Sequence, residues 1–183
     1  MIKLQLTILS VLLSLNIFGQ VDKYKFAITE GNLTLNMPNE KWQLSDSLKG
    51  NLVQYIFKRD EIIDCDGQEI VPAIMIYIDD ASAYKKDIVS FALNKQQPIM
   101  QNNVKIDSIQ IKDENAAYPL SMNNSIFYKC HYTSSSITHI LYMIFIINKK
   151  DIGIQIYMDM TKSIADEYEK EFISVIRSII EQK

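Results

Sequence analysis

Hydrophobic residues alternate with polar ones along the first half of this chain, and a four-residue spacing appears twice, which sets strands against two helices. Leu33, Leu35 and Met37 alternate with polar neighbours and predict a half-buried strand ending at Pro38. Leu52 to Arg59 repeats the pattern and puts Val53, Tyr55 and Phe57 on one face. Ile70 to Ile78 is almost wholly apolar, with Pro72 confined to its start, which predicts a strand covered on both faces. Asp60 to Gly67 reads as an acidic hairpin loop between them.

Beyond Asp79-Asp80 the period changes. Ser82 is placed to cap a helix whose inward positions are Tyr84, Ile88, Phe91 and Ala92, closed by Gln96-Gln97-Pro98. Val104 to Ile111 is a short strand whose inward set shifts parity, which predicts a bulge near Asp107. Glu114 to Asn124 is a loop containing Pro119.

Ile126 to Tyr132, Ile137 to Ile147 and Ile152 to Met160 follow as a three-strand meander. Pairing Ile147 with Ile152 sets Phe145 opposite Ile154, Met143 opposite Ile156 and Leu141 opposite Met158. Ile140, Tyr142, Ile144, Ile146, Gln155 and Tyr157 then share the other face, so both sides of the sheet need a cover. The serine turn between the first two strands has two registers. One sets His131 directly across from His139. The other, preferred here, groups Ile126, Tyr128, Cys130 and Tyr132 with Phe145, Met143 and Leu141 and sends the histidines to opposite faces.

The last element has Ser163 as its expected cap, with Asp166 three residues on. Ile164, Tyr168, Phe172, Ile176 and Ile180 recur every fourth residue along an amphipathic helix that packs on the sheet. Glu167, Glu169, Lys170, Glu171, Ser174 and Arg177 form its solvent face. The fold class these elements imply is α+β: a three-layer α/β/α sandwich with a mainly antiparallel sheet.

The amino terminus adds an address. Lys3 precedes an uncharged run from Leu4 to Phe18 that ends at Gly19-Gln20, the pattern of a secretory signal peptide over residues 1–19. Residues 20–183 are then a single domain, expected outside the cytoplasm, in a periplasm or secreted, with no stable membrane anchor after cleavage. Removing residues 1–19 takes away Lys3 and no acid, which moves the formal charge from −3 to −4. The largest basic groupings, Lys85-Lys86 and Lys149-Lys150, are too small for a nucleic-acid partner. For Cys65 and Cys130, a single disulfide and two free thiols are both open readings.

An early strand leading through Met37-Pro38 to Trp42, two more strands, a middle helix, a three-strand meander and a closing helix together resemble the PsbP-like group of sandwiches. That group includes the Ran-binding Mog proteins and exported bacterial relatives. The resemblance spans about Phe26 to Ile180, and its most recognisable piece is Leu33-Thr34-Leu35-Asn36-Met37-Pro38-Asn39-Glu40-Lys41-Trp42. The usual shorter gap and glycine before the tryptophan are missing here. The resemblance implies a fold and a habit of binding partners, and it implies no catalytic residue.

Candidate chemistry changes this little. Asp60, Glu61, Asp64, Asp66 and Glu69 invite calcium, but laying Asp64, Asp66 and Gly67 on an EF-hand loop puts Ile62 and Ala73 at the first and twelfth positions. His131 and His139 supply only two ligands for zinc, and Ser134, Ser135 and Ser136 sit on no strained nucleophile turn. No catalytic, cofactor or metal residue is therefore assigned. The reading is a non-catalytic binding or accessory module of the cell envelope, whose partner is a protein or a small apolar ligand. A carrier of an apolar ligand and a metal-dependent hydrolase are the alternatives. Trp42, Tyr142 and Tyr157 are the candidate contacts: Trp42 with the loop from Glu114 to Asn124 as a surface patch, the two tyrosines as flanks of an internal cavity.

Overall fold

The computed structural model describes residues 24–50, 53–111 and 122–182. The expected signal peptide and residues 114–121 of the proline-containing loop lie outside the described residues. Along the chain run Lys25–Ile28 (β1), Leu33–Asn36 (β2), Trp42–Leu48 (β3), Val53–Arg59 (β4), Ile62–Ile63 (β5), Glu69–Ile70 (β6) and Ala73–Asp80 (β7). Then come the helix Ile88–Met100 (α1), Lys105–Ile111 (β8), Ser125–Ser134 (β9), Ile137–Ile147 (β10), Ile152–Thr161 (β11), the helix Lys162–Ser178 (α2) and Ile180–Glu181 (β12). A seven-stranded sheet has the order β3-β4-β7-β11-β10-β9-β8, antiparallel throughout. β1, β2 and β12 form a separate three-stranded ribbon. The architecture is α+β, with one large antiparallel sheet and two helices, one of them C-terminal. No described helix is long and apolar enough to cross a membrane.

Side-chain parity assigns the two faces. Ile74 and Ile76 of β7, Tyr142, Ile144 and Ile146 of β10, and Ile154, Ile156 and Met158 of β11 point one way. They meet Ile164, Phe172, Val175 and Ile176 of α2 and Leu33 and Leu35 of the ribbon. Ile126, Tyr128 and Cys130 of β9 with Leu141, Met143, Phe145 and Ile147 of β10 point the other way, toward Phe91 and Ala92 of α1. Cys130 is buried and Cys65 exposed, and both are free thiols.

The β9–β10 hairpin has the preferred register, with Cys130 beside Leu141 and Tyr132 beside His139. Its two-residue turn puts Ser135 at φ 49° and Ser136 at φ 68°, the left-handed pair that a tight hairpin of this twist requires. The bulge expected near Asp107 is present, where β8 shifts against β9 between Ile106 and Ser108. The β10–β11 register is one residue away from the expected one: Ile147 lies beside Gly153 and Phe145 beside Gln155. Asn148 sets it. Its Oδ1 accepts from the N–H groups of Lys150 and Ile152, its Nδ2 donates to the Gly31 carbonyl, and its own N–H bonds the Ile152 carbonyl.

Both helix starts differ from expectation. Ser82–Tyr84 is a single 3₁₀ turn, broken by Lys85 and Lys86 at φ 50° and 67°; Asp87 caps α1 by accepting from Val89 and Ser90, and the helix runs on through Pro98. α2 starts at Lys162, with Thr161 rather than Ser163 at the cap position. Ile180 lies past its end, half-exposed in β12. Glu169 and Glu171 also leave the solvent face assigned to them. Glu169 reaches Lys129, and Glu171 binds Arg59, Asn39 and Trp42.

α1 comes close enough for Phe91 to bury completely only because β11 has no side chain at Gly153. A Cβ there would lie 2.6 Å from the Phe91 ring. Gly153→Ala is expected to destabilise the protein by about 1–3 kcal/mol in urea unfolding, and Phe91→Leu in the same chain to recover part of that loss. No loss in the single variant would contradict this packing.

Candidate functional site

α1 packs over β9 and β10, and the same face of β7 and β11 is left partly open, with Met75 and Tyr77 only half-buried. β7 is therefore not covered on both sides, as its apolar run had suggested. The space is a groove of about 560 Å³. Met75, Tyr77, Gln155, Tyr157 and Asp159, alternate residues of two neighbouring strands, make its floor. Lys95, Pro98 and Ile99 of α1, with Asn102 and Val104 after it, make the wall, and Tyr132 and Leu141 close one end. Gln155 to Asp159 spans roughly 13 Å along the strand.

Polar groups occupy the two ends. At one, the Tyr157 hydroxyl donates to Gln155 Oε1 at 2.6 Å, Gln155 Nε2 donates to Asp79, and Lys95 Nζ lies 3.2 Å from the same carboxylate. The Tyr77 and Tyr157 rings meet edge to face at 5.7 Å. Burial pushes the Tyr157 phenol well above its ordinary value. At the other end, Asp159 accepts from the Tyr132 hydroxyl at 3.2 Å and faces His139 Nδ1 at 3.2 and 3.3 Å, and the Tyr132 and His139 rings stack at 4.7 Å. Loss of hydration raises the Asp159 carboxyl above its ordinary value, and this outweighs the opposing effects of His139 and Tyr132.

Of the three candidate contacts, only Tyr157 reaches this groove. Tyr142 lies fully buried on the opposite face, stacked on Phe127 at 5.5 Å and bonded to Glu169. The one-residue difference in the β10–β11 register separates the two tyrosines, so they flank no common cavity. Trp42 is core as well. Its indole N–H donates to Glu171 Oε2 at 2.7 Å and its ring tilts against Phe172 at 5.6 Å, so it forms no surface patch. His131 pairs with Asp107 at 2.7 Å on the face away from His139, so the two imidazoles share no cleft. In the acidic loop, Asp64 Oδ1 is occupied by the N–H groups of Asp66 and Gln68 and closes the turn at Gly67. Among the described residues, no three His, Cys, Asp or Glu side chains are grouped to hold a metal.

Asp159, Gln155, Tyr77, Met75 and Lys95 were not singled out in the sequence. A signal for two of them was present. Gln155, Tyr157 and Asp159 recur at every second position of an otherwise apolar strand, a polar line on one side of it.

No family model matches the sequence, and no curated protein matches it. Solved structures do. The Saccharomyces cerevisiae Ran-binding protein Mog1p superposes with a TM-score of 0.54 at 10% identity, over 86% of this chain and 94% of its own. PA94 from Pseudomonas aeruginosa, a protein of unknown function, gives 0.51 at 12% identity over 87% and 96%. A Bacteroides thetaiotaomicron protein gives 0.49 at 14% identity over 89% of this chain, which spans only 50% of that protein's length. At these identities the likeness to Mog1p and PA94 is one of fold.

A carboxyl raised by burial costs stability wherever it is ionised. Below the unfolded Asp value the penalty is absent; it grows as pH rises from there to the raised native value and is complete above it. Asp159→Asn is therefore expected to raise the urea midpoint at neutral pH, with the gain shrinking toward about pH 3. A lower midpoint at neutral pH would contradict the assignment.

Proposed function

We propose that this protein is an exported, non-catalytic binding module of the cell envelope, and that the groove beside α1 is its binding surface. The groove carries the reading: a concave, largely apolar floor of about 560 Å³ with polar groups held at its ends is built to receive something. The fold supports it, since Mog1p, which shares that fold, is described as a Ran-binding protein. Export rests on the sequence of residues 1–19. In this reading the sheet is the middle of a three-layer sandwich whose α1 layer is incomplete at the groove. A carrier of a small apolar ligand is the second reading, favoured by a volume within the roughly 300–1,000 Å³ typical of small-molecule sites.

Two measurements test this. Fractionation of the native host, with N-terminal sequencing, is expected to find the chain outside the cytoplasm and starting at Gln20; a cytoplasmic chain retaining residues 1–19 would contradict export. Ile99→Arg places a charged side chain at the groove wall. Proteins or small molecules captured from an envelope extract by the wild-type chain are expected to be lost with this variant, and their equal retention would remove the groove from the binding role.

A further inference from the structure

The groove is not electrically neutral along its length. At the Gln155 end Lys95 is already matched, its ammonium 3.2 Å from Asp79. At the other end Asp159 has acceptor capacity to spare, open to the groove. A carboxylate offers about four acceptor sites, and the side chains bonded to this one are Tyr132 and His139, at 3.2 to 3.3 Å. Those separations exceed the roughly 2.7–2.9 Å of charge-assisted bonds. Lys58 lies on the same row of the sheet, beside Ala73 and two strands from Asp159, with an exposed side chain that makes no ion pair to it. The Asp159 side chain is 27% exposed and lines the groove, and its partial burial raises the carboxyl.

We infer that the groove takes a small amphiphilic amine, its apolar body lying against Met75, Ile99 and Leu141 and its ammonium group on the Asp159 carboxylate beside Tyr132. This rests on the groove being the binding site, and it selects the small-ligand form of that reading. An ammonium would supply the short, charge-assisted bonds that Asp159 lacks, next to the Tyr132 ring. A fatty acid would bring a second anion to Asp159 and find Lys95 engaged. A neutral alcohol would cover Asp159 without replacing its water with a countercharge.

The test is titration calorimetry of the mature protein with octylamine, octanoate and octanol at about pH 8, where an alkyl ammonium and a carboxylate are both charged. Octylamine is expected to bind at least roughly tenfold more tightly than the other two, and Asp159→Asn to remove its advantage over octanol. Octanoate binding as well as octylamine, or octylamine binding the Asp159→Asn protein undiminished, would overturn the inference. Equal binding of all three would overturn the head-group assignment and leave the groove as an apolar site. Binding of none, with a captured partner still lost on Ile99→Arg, would overturn the amine and leave the groove as the surface for that other partner.

Discussion

Which residue of β11 lies beside which residue of β10 governs everything on both sides of the sheet. Side chains alternate with a period of two, so a slip of one position exchanges the faces. The observed pairing, Ile144 with Ile156 and Ile146 with Ile154, sends isoleucines toward α2 and sends Gln155, Tyr157 and Asp159 to the groove. The alternative would press an amide and a carboxylate into the core beneath α2, where neither would have water. Asn148 holds the register from the turn. It is itself buried, and its side chain ties two N–H groups of the turn to the Gly31 carbonyl of the ribbon.

The two faces then do different work. Beneath α2 the packing is largely apolar, and its Arg59–Glu171 charge pair is well provided for. Arg59 Nε lies 2.9 Å from Glu171 Oε2, and the Tyr168 ring lies 4.6 Å from the guanidinium. Burial alone would raise the Glu171 carboxyl, but the bonds from Arg59, Trp42 and Asn39 and the charge of Arg59 bring it below the ordinary value. Asp159, on the opposite face, is raised. Two half-buried acids shifted in opposite senses separate a carboxylate that fastens a helix from one that faces an open groove.

Much of the fold was legible in the sequence, and the exceptions have physical causes. The β9–β10 register could be read because one choice groups Ile126, Tyr128 and Cys130 with Phe145, Met143 and Leu141, while the other puts Lys129 beside Leu141. The bulge at Asp107 could be read from a change of parity. The β10–β11 register could not, because both faces of β10 are apolar and either pairing looks equally greasy. Tyr142 and Tyr157 were placed together for that reason alone. The start of α1 was hidden by two lysines that adopt left-handed backbone conformations without the glycines that usually announce them. Arg59 shares the inward parity of Tyr55 and Phe57, so its need for an acid partner was visible, but Glu171 lies 112 residues away on another element.

The central claim is that the register of β10 on β11 builds the groove, and solution NMR tests it directly through cross-strand proton contacts. Contacts joining Tyr142 to Met158 and Met143 to Tyr157 are the predicted result. Contacts joining Tyr142 to Tyr157 and Phe145 to Ile154 would put Tyr157 and Asp159 beneath α2 and leave the groove without its floor.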